Sequence, residues 1–382
     1  MNETCYVTSL KYSPVMWTCG RGFGEPIRAA GHPVRYLLAS EYEWLSGDSG
    51  LGTDVLPVPE SPNPLSVLLR FLRSGGLART REVFRENPPG VLLFVNLNPL
   101  IDRIVIRIAR KAKPRVRVVS YLHEPRTTDK RVYGWRRAVL LWFFEMFAFS
   151  MARASDAIVL PSQQAGEVYE RFYGKLGKPY RVVSLPFMDG RCNESLERRY
   201  TTFVGHIGNA HQKGIDLFIE MIEESFDRPG EHSFQLVTGE DPRDLLGALS
   251  ERARGRLRVV HEVPLGDAEI SRAIRESVAV VLLQRRVMQS GVLPVALMNG
   301  TPVLVSDLAG FTQYIEDGKT GRVVPVEASL DQRFDAIEDI RRDLEAMAAE
   351  CRRVYEETFD SRKVGPNVAW ILGHDPAGNA QG

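Results

Sequence analysis

The sequence predicts an α/β protein made of two similar halves, each a parallel sheet with helices on both faces. Two observations carry this. Short apolar, β-branched runs alternate with helical stretches along almost the whole chain, and a repeated β-α order leads to a parallel sheet. A polar, irregular segment, residues 187–199, then separates two such series of comparable size. The length of 382 residues is enough for two ordinary domains. The halves are Rossmann-like, and no shorter internal repeat is present.

In the first series, strands are expected at residues 5–10, 34–39, 91–95, 116–122, 157–160 and 180–184. A long loop containing Gly20-Arg21-Gly22-Phe23-Gly24 follows the first of them, with a short helix at 25–30. Residues 65–85 have helical periodicity broken at Gly75-Gly76. The second series places strands at 200–205, 234–237, 257–261, 278–283 and 303–305. Residues 332–357 read as one long charged helix and 364–372 as a last, more apolar one. The tail from His374 to Gly382 is small and polar, an expectation of disorder. The domains are thus 1–188 and 199–357, with a C-terminal helix at about 358–373 packing back on the first.

Composition excludes several classes. Apolar content of 44% and charged content of 25% are those of a globular protein. A formal net charge of +1 gives no field for nucleic acid. Cys5, Cys19, Cys192 and Cys351 are far apart, so neither a zinc site nor a disulfide framework is suggested. The N-terminus lacks a basic and apolar leader, and a cytoplasmic location is expected. Residues 131–149, from Arg131 to Phe149, combine Arg131, Arg136 and Arg137 with an apolar run that carries Glu145. The run is too short to span a bilayer. Two readings stand: a helix buried between sheet and neighbour, or a face resting on a membrane.

The chemistry gathers in the second half. Gln289-Ser290-Gly291-Val292 opens a short apolar helix, with Ser290 as the expected N-cap and Asn299-Gly300 as its left-handed stop. Free amides there suit a phosphate, and Gly291 lets a ligand approach. Lys213 sits at the mouth of the helix after the first strand of this half, where it adds a point charge to an anion site. The glycine loop of the first half is a poor dinucleotide fingerprint. Position 25 is Glu, so G-x-G-x-x-G is incomplete, and the loop starts well past its strand.

Taken together, these segments resemble the retaining GT-B glycosyltransferases of the GT4 type, glycosyl transferases group 1. Residues 205–219 are similar to the family's "G-R-l…K-G-x-d-l-l" segment, and Leu236-Val237-Thr238-Gly239-Glu240 to its "l-v-i-v-G-x-G" strand. Residues 289–324 match the donor-site run. The first half resembles the family more loosely, through the glycine loop, His123-Glu124-Pro125 and residues 155–162. Most of the family carries E-x7-E; the aligned positions here are Val287 and Val295, and the segment resembles a variant branch with S-Q-S-G-V. The family arginine is replaced by His206.

The resemblance implies two parallel sheets facing an interdomain cleft, and transfer of a hexose-type sugar from a nucleotide-diphosphate sugar to a glycan or lipid-linked acceptor. His123 and Lys213 would be catalytic. Gly22, His206, Lys213, Gly239, Gln289, Ser290, Gly291 and Val292 would bind the donor. No metal and no cofactor are expected, the nucleotide-sugar being a substrate. Two alternatives are a non-catalytic sugar-nucleotide-binding or scaffold protein, supported by Val287 and Val295, and a GT-B epimerase.

Overall fold

The computed structural model describes every residue except 1–2, 46–49, 62, 127–133, 209, 229, 231, 264 and 375–382. The chain divides into two compact units, Met1–Met188 with Asp360–Gly382, and Asp189–Phe359.

The first unit is built on β1 (Thr4–Ser9), β2 (Val34–Leu38), β3 (Thr53–Val55), β4 (Pro89–Asn96), β5 (Arg117–Tyr121), β6 (Ala157–Leu160) and β7 (Tyr180–Val182). They form a parallel sheet in the order β3-β2-β1-β4-β5-β6-β7. The second unit holds β8 (Tyr200–Val204), β9 (Ser233–Thr238), β10 (Leu257–His261), β11 (Ser277–Leu282), β12 (Val303–Ser306) and β13 (Gly321–Val324), also parallel, in the order β10-β9-β8-β11-β12-β13. Central strands such as β4 and β11 are buried on both faces, which is why they read as unbroken apolar runs rather than alternating ones. Each sheet reverses its winding once, between β1 and β4 and between β8 and β11. Crevices of such sheets open at the carboxyl ends of the strands flanking that reversal.

The expected strands are present within a residue or two. β3 and β13 are additions. β3 is three residues long with Asp54 at its centre, too short and too polar to show a period; Asp54 accepts from Arg35 Nε at 2.7 Å. Residues 332–357 are two helices, Leu330–Arg342 and Leu344–Thr358, parted at Asp343, where no Gly or Pro marks the break.

The glycine loop is corrected outright. Residues 20–24 lie inside one helix, Pro14–Ala29, whose Trp17, Cys19, Phe23 and Ile27 are buried. The glycines serve packing rather than bending. A Cβ on Gly22 would lie 2.2 Å from the Pro186 carbonyl oxygen, and one on Gly24 would lie 2.3 Å from the Tyr36 hydroxyl. The space beside Gly22, which the resemblance assigns to the donor, is taken by the chain's own backbone at Pro186.

The segment after residue 360 belongs to the first unit. Arg117 donates to the carbonyls of Ile371 and Trp370, both at 3.0 Å, and the Ser361 amide donates to the Phe187 carbonyl at 2.9 Å. The apolar run forms a helix, Gly134–Ala154. Arg131 lies outside the described residues, and of Arg136 and Arg137 only the backbone is described. No helix among the described residues is long and apolar enough to cross a membrane. The tail beyond His374 is likewise outside them.

Packing at Gly22 gives a direct test. Gly22→Ala should cost about 1–3 kcal/mol through overpacking. Gly247→Ala, in a helix with open space around it, should instead be neutral or stabilising by about 0.4–1 kcal/mol. Denaturant midpoints of the two variants check the contrast.

Candidate functional site

At the carboxyl end of β8 the chain turns through Gly205, whose φ of +135° favours glycine and which has nothing within 4 Å of a would-be Cβ. The next residues are held by Glu240, just past β9. Its carboxylate accepts from the amides of Ile207 at 2.7 Å and Gly208 at 2.8 Å, and meets His206 Nδ1 at 2.8 Å. Partial burial pulls the Glu240 pKa up, but these bonds outweigh it and hold the group below the usual carboxylate range. With Nδ1 committed to Glu240, His206 presents Nε2 outward from a largely exposed ring.

Lys213 ends the one-turn helix Ala210–Lys213. Gly214 follows at φ +72°, and a Cβ there would lie 1.9 Å from the Leu283 carbonyl oxygen at the end of β11. Glycine is required twice over, by conformation and by space. Arg285 completes the clasp. Its amide donates to the Gln212 carbonyl at 3.1 Å, and its guanidinium donates to the His211 carbonyl at 2.6 Å, Asp216 at 2.8 Å and Glu327 at 3.0 Å. The lysine is thereby fixed beside the loop that leads from β11 to the next helix. Its ammonium is half-buried and makes no ion pair or hydrogen bond among the described residues. Burial lowers its pKa from the ordinary lysine value. An uncompensated cation of this kind costs stability until an anion arrives.

That loop carries the other unpaired groups. Both polar atoms of the Gln289 side chain are buried without a partner. The amides of Gly291 and Val292 make no hydrogen bond within the described residues. The helix itself is short, Val292–Met298, and the N-cap assignment is corrected: Gly291, already helical at φ −75° and ψ −18°, occupies that place, and the buried Ser290 makes no capping bond. The stop is as expected. Gly300 is left-handed at φ +61°, with Gly300 and Thr301 amides returning to the Leu297 and Ala296 carbonyls.

Two residues that hold this helix in place left no signal in the sequence. The Arg198 guanidinium donates to the Asn299 and Gly300 carbonyls, to the Ser277 carbonyl and to Thr301 Oγ1. Burial, with Arg275 nearby, pushes its pKa down to about 10. Gly310 presses on the loop from the other side, its Cβ position 2.7 Å from the Val287 carbonyl oxygen. Val287, where most of the family has an acid, is therefore packed on the neck of a helix.

β8 and β11 are neighbours, so the loops after them, one carrying His206 and Lys213 and the other Gln289, Ser290, Gly291 and Val292, leave the same end of the sheet. Gly239, at the end of β9, is exposed and meets only ordinary contacts. His123 and Gly22 belong to the first unit. His123 follows β5; its Nε2 is 2.7 Å from the Val95 carbonyl and its ring is edge-on to Tyr121. The switch point of the first sheet holds a cavity of about 730 Å³. Leu10, Tyr12, Leu97 and Asn98 line it from the ends of β1 and β4, beside Glu41 and Glu124. Among the described residues no three His, Cys, Asp or Glu side chains gather as a metal cage.

Two doubly wound sheets, each reversing its winding once, define a two-unit α/β architecture. Residues 16–187 match the family described as glycosyl transferase 4-like domain, and residues 198–343 match glycosyl transferases group 1. The chain belongs to the GT-B glycosyltransferases. It is similar in fold to Anabaena Alr3699/HepE solved with UDP-glucose, at 14% identity and TM-score 0.69, covering 97% of this chain and 100% of that one. Sucrose-phosphate synthase from Thermosynechococcus elongatus gives 14% identity and TM-score 0.69, over 97% and 98%. WaaG, a glycosyltransferase involved in lipopolysaccharide biosynthesis, gives 15% identity and TM-score 0.65, over 97% and 100%. No curated protein sequence matches the chain.

The clasp predicts a stability effect with a functional shadow. Gly214→Ala should destabilise the second unit by about 1–3 kcal/mol, through strain at a positive φ and the clash with Leu283. Hydrogen exchange should report faster opening of residues 211–216 and 283–291 together.

Proposed function

We propose that the protein is a metal-independent, retaining hexosyltransferase. It takes a sugar from a nucleotide-diphosphate donor and passes it to a glycan or lipid-linked acceptor in polysaccharide or glycoconjugate synthesis. The observation that carries this is the lone ammonium of Lys213, clasped beside a loop whose Gln289 amide and Gly291 and Val292 N–H groups all lack partners. Cation, amides and side-chain amide together suit a diphosphate and the sugar attached to it.

The reaction breaks the bond between the anomeric carbon and the diphosphate oxygen. A new bond forms from an acceptor hydroxyl to the same carbon, and the hydroxyl proton leaves with the departing phosphate. Negative charge grows on that phosphate in the transition state. Lys213, His206 through Nε2 and the amides of Ser290, Gly291 and Val292 are the groups set to meet it, and preorganised donors of this kind are worth about 2.7–4 kcal/mol each. Gly205 leaves room for the approach, and Gly239 can border the donor. In the first unit, His123 would contact the donor sugar or the acceptor hydroxyl, and the cavity at the switch point would seat the acceptor. Gly22 is not carried forward, since Pro186 fills the space beside it. A cytoplasmic enzyme with peripheral contact at the inner membrane face fits the helix Gly134–Ala154, whose outer side chains include exposed Trp142, Met146 and Phe149.

The second reading is a non-catalytic sugar-nucleotide-binding or scaffold protein. Val287 and Val295 favour it, since neither can hold a ribose or sugar hydroxyl.

Nucleotide release from a panel of nucleotide-sugars with membrane lipids separates the two. Lys213→Ala should lower release by about a hundred- to a thousandfold. Its melting temperature should be unchanged or higher, because the variant removes a cation that burial disfavours. Release that Lys213→Ala does not alter, or no release by the parent protein, favours the scaffold.

A pH profile adds a sign. The folded pKa of Lys213 is depressed by burial, so its charge is lost as pH rises through a value below that of an ordinary lysine. Donor affinity should therefore fall on the alkaline side before an ordinary lysine would titrate. An alkaline limb that survives in Lys213→Ala would assign the titration elsewhere.

A further inference from the structure

The loop after β8 presents two imidazoles, each with a carboxylate behind it. His206 Nδ1 lies 2.8 Å from Glu240 Oε1, and His211 Nδ1 lies 3.1 Å from Asp216 Oδ2. Both rings are largely exposed beyond these contacts. Such a bond selects a tautomer. An ionised carboxylate can only accept, so the proton it shares belongs to Nδ1. Glu240 is ionised at neutral pH: burial pulls its pKa up, but the bonds from Gly208, His206 and Ile207 hold it below the usual carboxylate range. Neutral His206 therefore turns a lone pair outward at Nε2, and a lone pair repels an anionic oxygen. Nε2 becomes a donor only when the ring takes a second proton. The arginine that His206 replaces would offer N–H groups at any pH.

The two oxygens of Glu240 have separate duties. Oε2 accepts from the amides of Ile207 at 2.7 Å and Gly208 at 2.8 Å, while Oε1 meets the ring. The Glu240 amide is itself tied to Thr238 Oγ1 at 3.1 Å. A glutamine in this pose would keep its carbonyl oxygen on the two amides, which need an acceptor. Its NH2 group would then donate to Nδ1, and the ring proton would move to Nε2. The charged groups on the neighbouring loops have other contacts or lie farther out. Asp241 accepts from Arg243 at 2.7 Å, His261 Nδ1 lies 3.2 Å from the Thr238 carbonyl, and Glu262 is exposed beyond β10. Asp216 also accepts from Arg285, whose neighbour Arg286 follows on the loop after β11. Lys213 supplies the ammonium.

We propose that Glu240 is a positioning residue that makes His206 a proton-gated donor: Nε2 bonds to an anionic oxygen only as imidazolium, so this loop takes up an anion and a proton together. That the natural anion is a donor phosphate rests on the transferase reading. The tautomer and the gate stand on the Glu240 geometry alone.

Nuclear magnetic resonance of the full-length protein, labelled with nitrogen-15 at histidine, reads the tautomer directly. His206→Arg removes the His206 signals and so assigns them. At pH 8 the parent should carry the His206 proton on Nδ1, and Glu240→Gln should carry it on Nε2. Sulfate is the anion probe, since it keeps its double charge between pH 6 and pH 8, with ionic strength held by chloride. The parent should bind sulfate about tenfold more tightly at pH 6 than at pH 8, the gap between a charged hydrogen bond and none. Glu240→Gln and His206→Arg should each shrink that ratio by about threefold or more. His211 and Lys213 are present in all three proteins, so their titration cancels in the comparison. Should Glu240→Gln fail to fold, the parent's tautomer and the His206→Arg ratio still decide. A neutral parent ring protonated on Nε2 overturns the proposal. So does a parent that binds no sulfate at either pH, or a ratio that neither variant moves. Nucleotide release keeps the two readings apart. Gated sulfate binding without release from any nucleotide-sugar leaves the gate and removes the transferase; release with an ungated sulfate affinity removes the gate alone.

Discussion

The contact between Gly214 and the Leu283 carbonyl is the constraint on which the second unit's site depends. β8 and β11 are neighbours at the point where the sheet reverses its winding, so the loops after them must share one small space. Only a residue without a side chain, in a left-handed conformation, lets them pass at this distance. Arg285 then bonds across the junction from four directions. The backbone of the lysine one position earlier is held with it.

This junction divides the polar groups around it into satisfied and unsatisfied. Some polar side chains nearby are engaged by the protein itself, while Gln235 Nε2, Arg275 Nε and Ser306 Oγ of the same unit are also unpaired. Glu240 spends both oxygens on the loop after β8, and Arg198 spends its guanidinium on the end of the short helix. In the loops after β8 and β11 the unpaired groups are one ammonium, one side-chain amide and the first amides of a helix. Native structures rarely leave such groups without partners in the absence of a ligand. Their placement at one end of the sheet is a stronger argument than any of them alone, since each has a bland explanation by itself.

The donor-side run is legible because its spacing is set by local chemistry. Gly300 must be left-handed, Pro302 cannot continue a helix, and Val303 to Val305 suit only a buried strand. Those rules act over a few residues, and the structure obeys them closely. The glycine loop is illegible for the opposite reason. Gly20, Gly22 and Gly24 look like a flexible turn in one dimension, yet two of them are needed because Pro186 and Tyr36 come close in three. Ser290 loses the cap position because a helix can begin one residue later when glycine already adopts helical angles.

By itself the sequence determined the class of fold, the order of the strands and the position of the helix opening near Gln289, because periodicity and turn chemistry are local and survive without a partner. It also carried the family resemblance, which is a matter of residue order. Only the tertiary structure decided which polar groups remain without partners, since pairing depends on segments as far apart as Arg198 and Gly300, or Glu240 and His206. Only it separated glycines that admit a ligand from glycines that admit another stretch of backbone, because the two cases differ in what occupies the space and in nothing that the chain writes down.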